Sequence, residues 1–163
     1  MKYLIIISLI MTTMNSTAQD GKATSESKTF SRTTRISQTI NAESSVVWEL
    51  LTNAENHPKW NSTVVSIEGK IALGEKIKLV STLDTSRTFK LKVRQFEPNK
   101  VMAWGDGMGD RVYTITEVEN GVRLDMNEKI GGFMFPLFAN KIPSFIESFE
   151  QFMADLKKEA ESK

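Results

Sequence analysis

The chain of 163 residues has no cysteine and a single histidine, His57. A disulfide framework, a thiol nucleophile and thiolate metal ligands are thereby excluded. Neither sign of charge predominates. There are 21 Lys and Arg against 20 Asp and Glu, and setting Lys2 aside leaves 20 of each. Such a chain has no global field to hold nucleic acid or an anionic membrane. No apolar run is long enough to span a bilayer. "YLIIISLIM" (residues 3–11) falls well short of the roughly 20 residues needed. "GDGMGD" (105–110) lacks the length and terminal Glu of a calcium loop, and "GEK" (74–76) lacks a Gly-rich lead-in to a phosphate loop. The first reads as a turn. No metal or cofactor is expected.

What is present begins with a targeting signal. Lys2 precedes the short apolar run, and Ser16 and Ala18 occupy the small-residue positions of a signal-peptidase site. Residues 1–18 are expected to be removed, giving an exported protein, periplasmic or secreted, with no stable membrane insertion. With no cysteine after the apolar run, a bacterial lipoprotein is excluded. Residues 19–30, "QDGKATSESKTF", carry almost nothing apolar and read as a flexible leader. Residues 31–163 then form one domain, and about 130 residues suffice for a core without disulfides.

Within that domain Ile36, Gln38 and Ile40 alternate as a strand. Ser44 or Ser45 is placed to cap a short helix in which Val47, Leu50 and Leu51 share a stripe that Trp48 widens. "TNAENHPKWN" follows as a loop or second helical turn, with His57 expected on an exposed loop. Six alternating segments come next, separated by turn residues. Among these turns Asn120-Gly121 is a strong hairpin signal, and consecutive hairpins make an antiparallel meander. The period then changes. Phe138, Ile142, Phe145, Phe149, Phe152 and Leu156 fall on one helical face, with a kink expected at Pro143. The predicted fold is α+β. A curved antiparallel sheet of about seven strands wraps a long C-terminal helix, and two short helices follow the first strand. Sheet and helix leave a cavity between them.

"INAESSVVWELLTNAENHPKWNSTVVSIE", with "LGEKIKL", "VRQFEPNKVMAWGD", "ENGVRLDMNEKIGG" and a terminal "LKKEAE", resembles the SRPBCC superfamily. That group includes START-related, pollen-allergen-like and polyketide cyclase/dehydrase proteins. The resemblance spans about residues 33–161 and implies the helix-grip fold. It implies no shared catalytic motif. It also implies that Trp60 sits near the cavity entrance and that the face of Tyr113, rather than that of Val112, points inward.

Strand parity names the remaining candidates. Leu79, Phe89, Leu91, Val93, Met102, Trp104 and Met126 face inward, opposite Phe138, Ile142 and Phe145. Arg111 and Glu128 lie on or near the inner face and are expected to bridge each other, or Arg111 to bridge Asp106, because buried charges need partners. As a functional group Arg111 would anchor a ligand carboxylate or carbonyl. The partner expected is a small hydrophobic molecule such as a lipid, quinone or polyketide-like compound, and no catalytic residue is assigned. A cyclase- or dehydratase-like enzyme using the same cavity is the alternative. Its tuned group would have to come from Asp106, Arg111, Tyr113 or Glu128.

Overall fold

The structure, a computed structural model, describes residues 19–163. The expected signal segment lies outside the described residues. In chain order the elements are β1 (Thr24–Lys28), β2 (Ser31–Ile40), α1 (Ser44–Thr52), a 3-10 turn (Ala54–Asn56), α2 (His57–Trp60), β3 (Val64–Glu68), β4 (Lys76–Ser81), β5 (Asp84–Glu97), β6 (Val101–Gly105), β7 (Gly109–Val118), β8 (Gly121–Gly131), α3 (Phe135–Phe138), a second 3-10 turn (Ala139–Lys141) and α4 (Ile146–Ala160).

The strands form a single antiparallel sheet in the order β1-β2-β8-β7-β6-β5-β4-β3. From β3 onward each strand pairs with the next. The turn between β7 and β8 is tight because Gly121, at φ +128°, lies where a Cβ would meet the Ile40 carbonyl at 2.2 Å. The β2–β3 connection carries α1 and α2 across to the far side of the sheet. This is the helix-grip arrangement, with one strand more than expected. The extra strand is β1, formed from part of the segment read as a flexible leader. All five of its residues are exposed, so pairing with β2 by main-chain hydrogen bonds required no apolar alternation.

Bulges interrupt the register at Val64/Ser66, Val80/Ser81 and Val93/Gln95. Each adds local bend and twist, which curls the sheet. The third also changes which residues face inward. Phe89, Leu91 and Val93 point to the core, but the next inward residue is Phe96, paired with Met102, rather than Gln95. Phe96 meets Trp48 edge-to-face at 4.9 Å, so the stub helix α1 packs on the sheet through an aromatic pair.

The C-terminal helix buries Phe149, Phe152, Met153, Leu156 and Ala160. It starts at Ile146 instead of running through a kink at Pro143. Pro143 has no N–H to donate and disfavours helical backbone at the residue before it, and Ile142 is accordingly extended (φ −86°, ψ 120°). Phe138 and Ile142 therefore belong to the lead-in and not to the helix face. Arg32 of β2 holds this lead-in. Its two terminal nitrogens donate to the carbonyls of Ile142 (3.2 Å) and Pro143 (2.7 Å), and its guanidinium lies over Phe145. The first helix differs in a smaller way. Its N-cap position is Glu43, with no side-chain cap, and the Ser44 hydroxyl lies 3.3 Å from the Glu117 carboxylate.

Candidate functional site

A cavity of about 210 Å³ lies between the inner face of the sheet and the α3–α4 lead-in. Leu79 and Ser81 of β4, Arg87, Phe89 and Leu91 of β5, and Trp104 of β6 form one wall. Arg111 and Glu128 form another, together with Met108 and Ile130. Lys141, Ile142, Pro143, Phe145 and Ser148 close it from the helical side. Eight of the residues predicted from parity are brought together here: Leu79, Phe89, Leu91, Trp104, Arg111, Glu128, Ile142 and Phe145. Ile142 reaches the cavity from the extended lead-in.

The other six do not line it. Val93, Met102, Tyr113 and Met126 are inward as expected but sealed in the core beneath the cavity. Phe138 packs on Phe135 instead. Trp60 is buried between His57 and Phe152, away from any entrance, and its indole N–H has no acceptor among the described residues. Parity reports which face a side chain takes but not its depth, and the bulk of α4 decides depth. The mouth residues Arg87, Lys141 and Pro143 were missed. The first lies at the far end of a long strand, and the other two were assigned to a helix they do not join.

The polar centre is built by strand register. Arg111 and Glu128 are directly opposite each other on β7 and β8. Arg111 donates from Nε (2.5 Å) and Nη2 to the same oxygen, Glu128 Oε2. The Arg111 guanidinium also stacks over the Phe149 ring of α4, 4.9 Å from its centroid. Burial opposes the Arg111 charge, but the Glu128 carboxylate and the Tyr113 hydroxyl more than offset it, raising its pKa further. Burial likewise pushes the Tyr113 hydroxyl up, against the Arg111 charge. Arg111 is thus cationic and Tyr113 neutral at any physiological pH. Asp106, the other partner considered for Arg111, instead accepts from the Met108 and Gly109 amides and shapes the β6–β7 turn.

His57 is buried, contrary to the expectation of an exposed loop. The ring nitrogen Nε2 lies 3.0 Å from the Leu51 carbonyl, and Nδ1 lies 3.4 Å from the Asn61 amide nitrogen. Asn61 in turn accepts from the Thr63 amide and hydroxyl at 3.0 and 2.7 Å. Burial lowers the imidazole pKa to about 4, against a smaller opposing effect of the Leu51 carbonyl. The ring is therefore neutral, donating to Leu51 and accepting from Asn61. This chain of bonds ties the end of α1 to the start of β3. It explains the polar stretch after the apolar stub, since its polar groups satisfy one another inside the fold.

Among the described residues no cluster of His, Asp or Glu could hold a metal ion, and no helix is long and apolar enough to cross a membrane.

Residues 31–161 match the profile of the family described as polyketide cyclase / dehydrase and lipid transport. No curated protein sequence matches significantly. Among solved structures, protein MLL2253 from Mesorhizobium loti superposes with a TM-score of 0.65 at 18% identity, over 81% of this chain and 98% of that one. Protein NE0264 from Nitrosomonas europaea gives 0.66 at 12% identity, over 84% and 97%. DynU16, from the dynemicin biosynthetic locus, gives 0.56 at 16% identity, over 76% and 45%. At these identities the likeness is one of fold.

Proposed function

This chain belongs to the polyketide cyclase/dehydrase and lipid transport family, and from that premise we propose that it is an exported binding protein for a small, mostly apolar molecule held between the sheet and α4. The observation that carries this reading is the cavity itself. Phe89, Leu91, Trp104, Ile142 and Phe145 supply apolar walls around the part-buried Arg111–Glu128 pair, with further charged side chains such as Arg87 and Lys141 in the lining. Such sites combine an apolar lining with a few placed polar groups.

Volume limits the ligand. About 210 Å³ is room for roughly seven waters and is below the roughly 300–1,000 Å³ of drug-sized pockets. A ring compound or short chain fits this space better than a whole phospholipid. Charge limits it further. Glu128 already neutralises Arg111, so the pair offers a donor edge and a spare carboxylate oxygen instead of a net positive charge. A ligand hydroxyl or carbonyl suits this pair better than a carboxylate, which would have to displace Glu128.

The same pair motivates the second reading, a cyclase- or dehydratase-like enzyme with Glu128 as acid or base. Glu128→Gln would then keep fold and binding while abolishing turnover. The carrier reading predicts no turnover to lose.

Native mass spectrometry of protein taken from its own host is the direct test. A stoichiometric small adduct, lost in Ile142→Arg, is the expected result. An adduct that persists in a folded Ile142→Arg variant would move the site elsewhere. Export is tested by N-terminal sequencing, with Gln19 expected as the first residue, and a retained Met1 would overturn it.

A further inference from the structure

Eight large apolar side chains are exposed among the described residues. Four of them meet at one tip of the molecule: Phe30, Phe133, Met134 and Leu137. Phe133 is 86% exposed and Leu137 72%. Phe30 sits in the β1–β2 turn and stacks on Phe133 with ring centroids 6.3 Å apart. The tip is built from main-chain bonds. Gly132 N–H donates to the Phe30 carbonyl at 3.0 Å, and Gly131 N–H to the Met108 carbonyl at 2.8 Å. Exposed apolar residues scattered singly need no explanation, whereas a cluster marks a contact surface.

Charge identifies the contact. The chain as a whole is balanced, yet the two segments that make this tip are not. Between Glu26 and Glu43 there is no acidic residue, and between Glu128 and Glu147 there is none. Those stretches carry Lys28, Arg32, Arg35, Lys129 and Lys141. Lys28 and Arg35 share the single carboxylate of Glu26, at 3.3 and 3.7 Å, so an excess of positive charge remains. The carboxylates of the neighbouring β6–β7 turn are engaged, Asp106 by main-chain amides and Asp110 by Arg94 at 2.5 Å. An apolar knob flanked by an excess of positive charge matches the boundary of a bilayer containing anionic lipid. It opposes pairing with a second copy of itself, which would set like charges together.

We propose that this tip docks reversibly on an anionic lipid bilayer, with Phe133 and Leu137 entering the headgroup boundary. The tip adjoins the cavity, because Met108, Ile130, Lys141 and Ile142 line it. A docked protein therefore presents its cavity to the lipid, where an apolar ligand is dissolved. That consequence rests on the binding-protein reading above, and the docking itself does not.

The experiment uses the chain from Gln19, which contains every element described, because the apolar run at residues 3–11 would itself partition into lipid. Co-sedimentation is measured with vesicles of phosphatidylcholine alone and with phosphatidylglycerol added. Binding is expected to strengthen severalfold with the anionic lipid and to weaken in 0.5 M salt. Phe133→Ser with Leu137→Ser should weaken it by about tenfold or more, since both side chains leave the interface. Displacement of a naphthylamine dye from the cavity should be unchanged in that variant. Wild-type protein that stays in the supernatant, or a double variant that sediments like wild type, overturns the docking surface. So does a wild-type dimer in sedimentation velocity that becomes a monomer in the variant, which would make the tip a self-association surface. Failure of dye binding alone would overturn the cavity reading and leave docking standing.

Discussion

Arg111 and Glu128 face each other across β7 and β8, and the Arg111 guanidinium stacks on the Phe149 ring of α4. One ion pair therefore joins sheet and helix at the wall of the cavity. Its side chains are 26% and 15% exposed, so the pair is partly screened. Arg111→Met should cost on the order of 2 kcal/mol, below the 3–5 kcal/mol of a fully buried pair. Adding Glu128→Leu should recover most of it. Chemical denaturation of the two single variants and the double checks this, with a coupling of about 1–3 kcal/mol expected. Zero coupling would mean that the pair does not form in solution.

Arg111→Met should also separate ligand classes. A hydroxyl- or carbonyl-bearing probe should lose about tenfold in affinity, the worth of one charge-assisted hydrogen bond, and a hydrocarbon probe of similar size little. Titration calorimetry with matched probes gives the comparison.

Stability should depend on pH through His57. Below pH 6.5 the unfolded chain takes up a proton that the folded chain refuses until about pH 4. The stability gained by keeping the ring neutral is complete above pH 6.5 and is lost as the pH falls toward 4. Between pH 7 and 5 the loss should be about 2 kcal/mol. His57→Gln should remove that slope whatever it does to stability at pH 7. Urea titrations across this range provide the measurement, and equal slopes would mean that the ring is not buried.

The α1 anchor is a pair and not a lone tryptophan. Trp48 is only partly buried, so Trp48→Ala should cost about 3 kcal/mol, the low end for a large aromatic. A Trp48/Phe96 double-mutant cycle should show about 0.5–1.5 kcal/mol of coupling. Additive costs would place the two rings apart.

Trp60→Phe should change stability by less than about 1 kcal/mol. The lost contact area is offset by removal of a buried N–H that has no acceptor among the described residues. Thermal unfolding measures it, and a loss of 3 kcal/mol or more would show that the indole N–H has a partner.

The sheet was legible because one face is buried, so period-two alternation from β4 to β8 is imposed by the core. Met126 and Glu128 were placed correctly on that basis. Three features were not legible. β1 has no buried face and hence no pattern. The bulge at Val93/Gln95 has no glycine or other local marker, so the inward turn of Phe96 could not be read from parity. His57 sits in a polar stretch whose side chains bond one another, and composition alone makes such a stretch look solvated. At the site, parity, with the family resemblance deciding the face of β7, chose the inner face well and depth poorly, which is why Tyr113 and Met126 were expected to line the cavity beneath which they lie. Pro143 was seen but weighed as a kink, although its effect on Ile142 made it a start.

The hold of Arg32 on the lead-in to α4 depends on two main-chain carbonyls, those of Ile142 and Pro143. Those oxygens are present whatever side chain position 142 carries. Attachment of this wall is thus independent of its chemistry. On the binding-protein reading, substitution at 142 would retune what the cavity accepts while the clasp stays shut, separating selectivity from closure between the side chain of one residue and the main chain of two.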